Sequence, residues 1–420
     1  METSDMRVLI VAEHASAKFG GEAFLPLHYF QLFRSRNIET WLVVHARTQA
    51  ELEKLFPNEG DRLHFIPDTW LHQLLWQWGR RLPQRVAELS TGAISHLITQ
   101  VMQRRIVCRL VREHNIDIVH EPIPVSPKVP SLMFSVGAPV VIGPMNGGME
   151  YPPAFPHYQG RLATVMVSQG RRFSNLFNRL LPGKLKAETL LVANERTKQA
   201  LPAGVRGKVI ELVENGVNLS VWKGTDLAAK QPKQTVRFVF VGRLVDWKAV
   251  DLLLEAFKPV ADETGAVLEI IGHGAERAAL EAQAARLELQ GNVIFVGWLS
   301  QDECAVKLQQ ADALVLPSLY ESGGAVVLEA MAMGLPAIAT KWGGPADYLD
   351  SSCGILVEPA SREALIQGLT EAMLKLAQSP ELRQQMGLAG QERIRQHFDW
   401  ERKADQMLEI YRQTLATAPK

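Results

Sequence analysis

Two carboxylates and two cations stand at spacings that suit a single ligand. Glu321 and Glu329 lie eight positions apart in Leu319-Tyr-Glu-Ser-Gly-Gly-Ala-Val-Val-Leu-Glu-Ala-Met-Ala-Met-Gly-Leu-Pro336. The preceding run, Ala313-Leu-Val-Leu-Pro317, reads as a short buried strand, and Gly323-Gly324 would let the backbone turn into a helix starting near Ala325. Glu321 then sits in the loop at the strand's carboxyl end, and Glu329 about one turn into the helix. Carboxylates accept hydrogen bonds from hydroxyl groups, while unpaired N–H groups at a helix start take up negative charge. Further upstream, Phe238-Val-Phe-Val-Gly-Arg-Leu-Val-Asp-Trp-Lys248 ends another strand and carries Arg243 and Lys248 in the loop that follows. A guanidinium fork and a mobile ammonium so close together can reach one diphosphate. Either motif alone also fits a solvated surface with incidental charges; together they point to a ligand that is both anionic and rich in hydroxyls.

These residues need strand ends to hold them, and the chain supplies two similar halves. The first half offers strand candidates at Arg7–Ala12, Trp41–His45, Asp117–His120, Val140–Ile142 and Leu190–Ala193, with a helical pattern over Glu22–Arg36. The second offers strands at Val209–Val213, Arg237–Val241, Val267–Ile271, Val293–Val296, Ala313–Leu316, Ala337–Thr340 and Gly354–Val357. Helical stretches lie between them at Asp251–Asp262, Ala275–Leu287, Asp302–Gln310 and Arg362–Ala377. Continuous apolar runs alternating with helices predict α/β domains with doubly wound parallel sheets. Pro202, Gly204 and Gly207 cluster near Leu201–Gly207, so the boundary is expected there: residues 1–201 form one domain and 202–399 the other. In the last segment, from Trp400, Ala404, Met407, Ile410 and Tyr411 share one helical face and need a partner surface.

Composition narrows the class. A chain of 420 residues with 47% hydrophobic and 21% charged residues is ordinary for a two-domain globular protein. The formal net charge is zero, which gives no field to recruit nucleic acid. The balance hides an asymmetry: residues 1–200 carry 23 Lys+Arg against 17 Asp+Glu, and the remainder carries 22 against 28. Three scattered cysteines, Cys108, Cys304 and Cys353, form no metal or disulfide pattern and favour a reducing, cytoplasmic setting. The first apolar run is too short for a signal peptide core, and no run of about 18 apolar residues predicts a spanning helix.

Other segments could complete a site. Asp117-Ile-Val-His-Glu-Pro122 ends a strand, and an imidazole at His120 could bond a ligand or orient a hydroxyl, with Glu121 behind it. Gly20-Gly21 would bring backbone N–H groups close to a ligand as only glycine allows. Gly143-Pro-Met-Asn-Gly-Gly148 ends a further strand and could line the same region. Ile271-Gly-His-Gly274 is a weak glycine signal in which His273 reads as structural or solvent-facing. In the segment 68–82, Trp70, Leu74 and Trp78 share a helical face, with Arg80-Arg81 at its end. One reading is an interfacial segment at the inner face of a membrane. The favoured one is an insert whose aromatics are packed in the first domain's core.

Taken together, the motifs resemble a retaining GT-B glycosyltransferase of family 4, also described as glycosyl transferases group 1. The resemblance rests on Gly20-Gly21, His120-Glu-Pro, Gly242-Arg243 with Lys248, Glu321 to Glu329 and the terminal helix. It implies two Rossmann-like domains facing a cleft, with the helix 400–420 packed back onto the first. A nucleotide-sugar donor, uracil- or guanine-based, would be bound mainly by the second domain. A glycan, lipid-linked or small-molecule acceptor would lie on the first. Arg243, Lys248 and Gly21 would hold the diphosphate; Glu321, Gly323 and Gly324 the donor sugar; Glu329 the ribose. Gly272 would lie under the donor, and Val296 near the base. His120 and Glu321 would be the groups nearest the chemistry, with Gly20 and Glu121 elsewhere in the cleft. No metal or other cofactor is expected: Asp-x-Asp is absent, and the two cations would supply that charge. The chain departs from the family in Glu321-Ser-Gly-Gly, where many members have Phe-Gly after one intervening residue. A GT-B epimerase or a non-catalytic nucleotide-sugar-binding protein is the alternative.

Overall fold

The computed structural model describes residues 6–18, 21–81, 88–156, 174–224 and 235–418. Two compact units emerge, each built on an all-parallel sheet. The first comprises the described residues of 6–148, 174–214 and 404–418; the second comprises those of 149–156 and 215–403.

In the first unit β1 (Arg7–Val11), β2 (Glu39–His45), β3 (Leu63–Ile66), β4 (Ile118–Glu121), β5 (Val140–Met145), β6 (Thr189–Val192) and β7 (Lys208–Glu211) pair in the order β3-β2-β1-β4-β5-β6-β7. The strands are apolar because helices cover both faces of such a sheet. Leu9, Val11, Val43, Val119, Ile142 and Leu190 are buried in one cluster with Val107 and Leu110 of the helix Ala93–His114.

The second sheet follows the same plan. β8 (Arg237–Val241), β9 (Val267–Ile271), β10 (Val293–Gly297), β11 (Ala313–Leu316), β12 (Ala337–Thr340) and β13 (Gly354–Val357) run in the order β10-β9-β8-β11-β12-β13. The helix Val250–Thr264 buries Leu252, Leu253, Phe257 and Val260. It ends at Gly265, whose φ of 64° suits a residue without a Cβ.

The expected boundary near Leu201–Gly207 is corrected by the sheet. Lys208–Glu211 pairs in register with Thr189–Val192, so this strand closes the first sheet, and the break falls between Glu214 and Asn215. The glycines and Pro202 mark a turn inside the first unit, and the strand candidate Val209–Val213, assigned from sequence to the second half, belongs to the first sheet. The terminal helix Trp400–Thr417 buries Ala404, Met407, Ile410 and Tyr411, and its residues from Ala404 onward group with the first unit. Tyr411 packs edge-on against Phe33, and Thr414 Oγ1 shares a hydrogen bond of 2.7 Å with Thr189 Oγ1.

Candidate functional site

Each sheet has one topological switch point, where strand order reverses: between β1 and β4 in the first unit, and between β8 and β11 in the second. Ligands of open α/β sheets bind outside the strand carboxyl ends at such a point. The loops there in the second unit are Gly242–Ala249 after β8 and Pro317–Gly324 after β11. They are joined by backbone: Leu319 N–H donates to Trp247 O at 2.9 Å. Stitching continues along the whole edge. Gly272 N–H donates to Gly297 O at 2.8 Å, Gly242 N–H to Ile271 O at 3.0 Å, Leu244 N–H to His273 O at 3.0 Å, and Gly344 N–H to Glu321 O at 2.9 Å. Five consecutive strand ends thus hold one another in place.

The side chains follow the stitching. Lys248 Nζ donates to Glu321 Oε2 directly across the switch point, and both groups are largely shielded from solvent. Ser318 Oγ donates to the same carboxylate oxygen at 3.4 Å. The Lys248 stem runs over Gly242, whose missing Cβ would sit 3.8 Å from Cε. Arg243 is exposed, with its guanidinium 5.7 Å from the Trp247 ring centroid, and it makes no ion pair among the described residues. Gly272 is at φ 141°, and a Cβ there would overlap Gly242 O. Gly324 caps the helix Ala325–Ala332 in the left-handed region, at φ 78°. No side chain caps that helix, and Val327 N–H donates back to Gly324 O at 2.9 Å. Val296 stands half-buried on β10, next to the Gly297 carbonyl that binds Gly272; His273 is exposed.

Glu329 lies in the first helical turns after Gly324 and is half-buried. Desolvation pushes its carboxyl up to about 7, and among the described residues it has no hydrogen-bond donor. Its charge in turn helps raise the neighbouring Cys304 thiol to about 11, chiefly a burial effect. A carboxyl kept out of water without a donor is suited to accept from ligand hydroxyls.

The first unit's switch point differs from the expectation. His120 is fully buried. Its Nε2 meets Gly143 O at 2.6 Å, and its Nδ1 meets Tyr411 Oη at 2.6 Å. Tyr29 packs edge-on against the same ring. Burial drives its pKa down to about 4. Both ring nitrogens are committed inside the unit, so direct contact between His120 and a ligand is corrected to a supporting role behind the Gly143 loop. Glu121 is also buried, accepting from Gln100 Nε2 at 2.9 Å and from Ser131 Oγ. Desolvation raises its pKa, opposed by the buried Lys184, whose own pKa is lowered by burial. Tyr29 and Lys184 were not marked from sequence, and Tyr411 was marked only as part of the terminal helix's apolar face. The signal was indirect: a buried acid and a buried imidazole each require partners, but those partners lie far away in the chain.

Gly20 lies outside the described residues. Gly21 starts the helix Gly21–Ser35, is exposed, and has open space where a Cβ would sit, so the expected need for glycine there is not met. Gly143 does need to be glycine: its φ is 106°, and a Cβ would meet the Leu191 carbonyl. Among the described residues, His45, Asp68 and His72 bring ligand-type atoms within 4.8 Å of one another. His72 is engaged at both nitrogens, with Thr69 and with Thr99, and Asp68 accepts from Arg47 at 2.8 Å. A cation on the carboxylate and a committed imidazole make this a structural corner rather than a set of open metal ligands.

Residues 226–393 match the family model described as glycosyl transferases group 1. A glycogen synthase of Mycobacterium tuberculosis is 27% identical over 264 residues, covering 60% of this chain and 62% of that protein. A D-inositol 3-phosphate glycosyltransferase of Segniliparus rotundus is 34% identical over 223 residues, 49% of this chain and 47% of the other. The chain thus spans between about half and three fifths of the length of these curated relatives. Among solved structures, Anabaena HepE in complex with UDP aligns over 97% of this chain and 100% of its own, with a TM-score of 0.66 and 15% identity. A glycosyltransferase from Rickettsia africae aligns over 98% and 100%, with a TM-score of 0.65 and 16% identity. Together with two doubly wound parallel sheets, these likenesses establish the fold as GT-B.

Proposed function

We propose that the chain is a retaining glycosyltransferase of family 4. It would move a sugar from a UDP- or GDP-linked donor to a hydroxyl of a glycan, lipid-linked or small acceptor. The observation that carries this reading is the Lys248–Glu321 contact across the second unit's switch point, flanked by Arg243 and Glu329, which among the described residues have no ion-pair partner and no hydrogen-bond donor respectively. The relatives named above act as sugar transferases or synthases by their descriptions, and HepE binds UDP; both support the reading.

In this account a donor diphosphate takes Lys248 and Arg243, replacing Glu321 as the anion beside the lysine. Glu321 is then released to accept from the donor sugar's hydroxyls, with Gly323 and Gly324 leaving room for the ring. The positive end of the helix that begins at Ala325 adds to the field there. Glu329 accepts from the ribose. The base lies against the end of β10 near Val296, and Gly272 keeps the floor beneath the donor low. Negative charge grows on the departing phosphate as the glycosidic bond breaks. Fixed cations aimed there stabilise the transition state more than the ground state. They supply the charge a metal would otherwise bring. The acceptor meets the first unit's switch point, near Gly21 and the Gly143 loop that His120 supports.

The test is a thermal-shift screen of nucleoside diphosphates and their sugars, followed by product analysis of any hit with a hydroxyl acceptor. A ligand at about a hundred times Kd adds roughly 2.7 kcal/mol of apparent stability. A glycoside with the donor's anomeric configuration supports the reading. An absence of any nucleotide-dependent shift would sink it.

A further inference from the structure

The segment 69–112 combines two features that the transfer reading leaves unused. It carries seven arginines and a single acid, Glu88. It also exposes large apolar side chains. In the helix Trp70–Gly79 the expected packing of the tryptophans into a core is corrected: Trp70 is 71% exposed and Trp78 62%. At 100° per residue, Trp70, Leu74, Trp78 and Leu71 fall within an arc of about 100°, while the buried His72 lies on the opposite side. His72 Nε2 meets Thr99 Oγ1 at 3.1 Å, which pins this helix to the helix Ala93–His114. There Ile94, Leu97 and Val101 are exposed too. The same stripe continues through Arg105 and Arg112, which line a shallow groove with Val101, Arg104 and Cys108.

We propose that these two helices form a docking surface for a bilayer rich in anionic lipid. Tryptophan places an apolar ring and one N–H donor where water meets hydrocarbon, and arginine reaches the phosphate level beside it. Arg80 already lies against Trp76, 4.9 Å from its ring centroid. Arg80, Arg81, Arg105 and Arg112 form no ion pair among the described residues, so their charge is available to an anionic surface. A protein partner of matching shape would leave these arginines needing a set of acids. A headgroup layer meets them at any rotation, which suits side chains this exposed. The helix Trp70–Gly79 leaves the first sheet at the carboxyl end of β3, on the edge that holds the switch point. Docking therefore sets that edge near the headgroups.

The experiment is co-sedimentation of the full chain with vesicles of phosphatidylcholine alone, and with vesicles in which about a third of the lipid is phosphatidylglycerol. Binding is expected on the second kind, weakened by salt. Trp70→Ser/Leu74→Ser/Trp78→Ser should lower it by about tenfold or more while leaving the thermal unfolding curve in place, since these groups are exposed. Arg80→Gln/Arg81→Gln should lower the anionic preference by about fivefold per arginine without abolishing apolar insertion. Equal sedimentation of the parent chain and the apolar triple variant would overturn the proposal. So would a parent dimer by light scattering that the triple variant renders monomeric. Neither result bears on nucleotide binding, which the thermal-shift screen reads separately.

Discussion

Arg243 is the least encumbered charged group at the second switch point, so its removal gives a clean reading. Arg243→Ala is expected to lose on the order of 2–4 kcal/mol of transition-state stabilisation, seen as a fall in kcat/KM for the nucleotide sugar, with an unchanged melting curve. Glu329 makes a pH prediction. Its carboxyl is raised to about 7 in the folded state, so folding stability is fully present below its unfolded value and declines as pH rises through 7. Glu329→Gln should match the parent chain at pH 4 and exceed it by about 1–2 kcal/mol at pH 8, a figure reduced because the group keeps some solvent access. Equal pH dependence in denaturant titrations of the two proteins would contradict this. His120 has the opposite sign: its pKa is depressed, so its contribution is held above pH 6.5 and lost as pH falls toward 4. Tyr411→Phe strips His120 Nδ1 of its partner and should cost about 1–2 kcal/mol, measured as a lower denaturant midpoint at pH 7.

At the scale of elements, two glycines at strand-to-helix turns, one in each unit, should behave oppositely. Gly272→Ala forces a Cβ into Gly242 O at a φ of 141°, and is expected to cost about 2–4 kcal/mol and to weaken nucleotide binding. Gly21→Ala meets open space and should change stability by less than about 0.5 kcal/mol. Thermal melts of the pair decide both. The contrast also shows what sequence makes legible. The continuous apolar runs of the second unit revealed β8, β9, β11, β12 and β13 with both ends of each, because strands buried on both faces have no other way to be written. The strand Leu63–Ile66 escaped notice: with His64 half-buried at the sheet's edge, its four residues lack such a run. The charged residues of the second switch point were legible because they follow their strands within a few positions. His120 was misread because its burial depends on Tyr411, 291 residues away, and no local pattern carries that distance. The tryptophans were misread for a related reason: periodicity shows that a stripe exists but not which way it faces.

For the molecule as a whole, the terminal helix decides what a fragment can do. Residues from Ala404 onward bury Met407, Leu408, Ile410 and Tyr411 in the first unit. Cutting the chain after residue 399 should leave the second unit's fragments resistant to limited proteolysis while the first becomes labile, as read by mass spectrometry of the digest. Retention of both protected sets would show the helix to be dispensable. The same connectivity sets an order of events during synthesis. Strands β1 to β7 leave the ribosome before any of the second unit's strands, yet the helix that covers Phe33 and His120 follows all of them. Of the two units, the one that begins first is therefore completed second, and its face around Phe33 and His120 stays uncovered until the second unit's strands have been made. A premature stop just before residue 404 would yield a product with a complete second sheet and a first unit that quality-control proteases can still recognise.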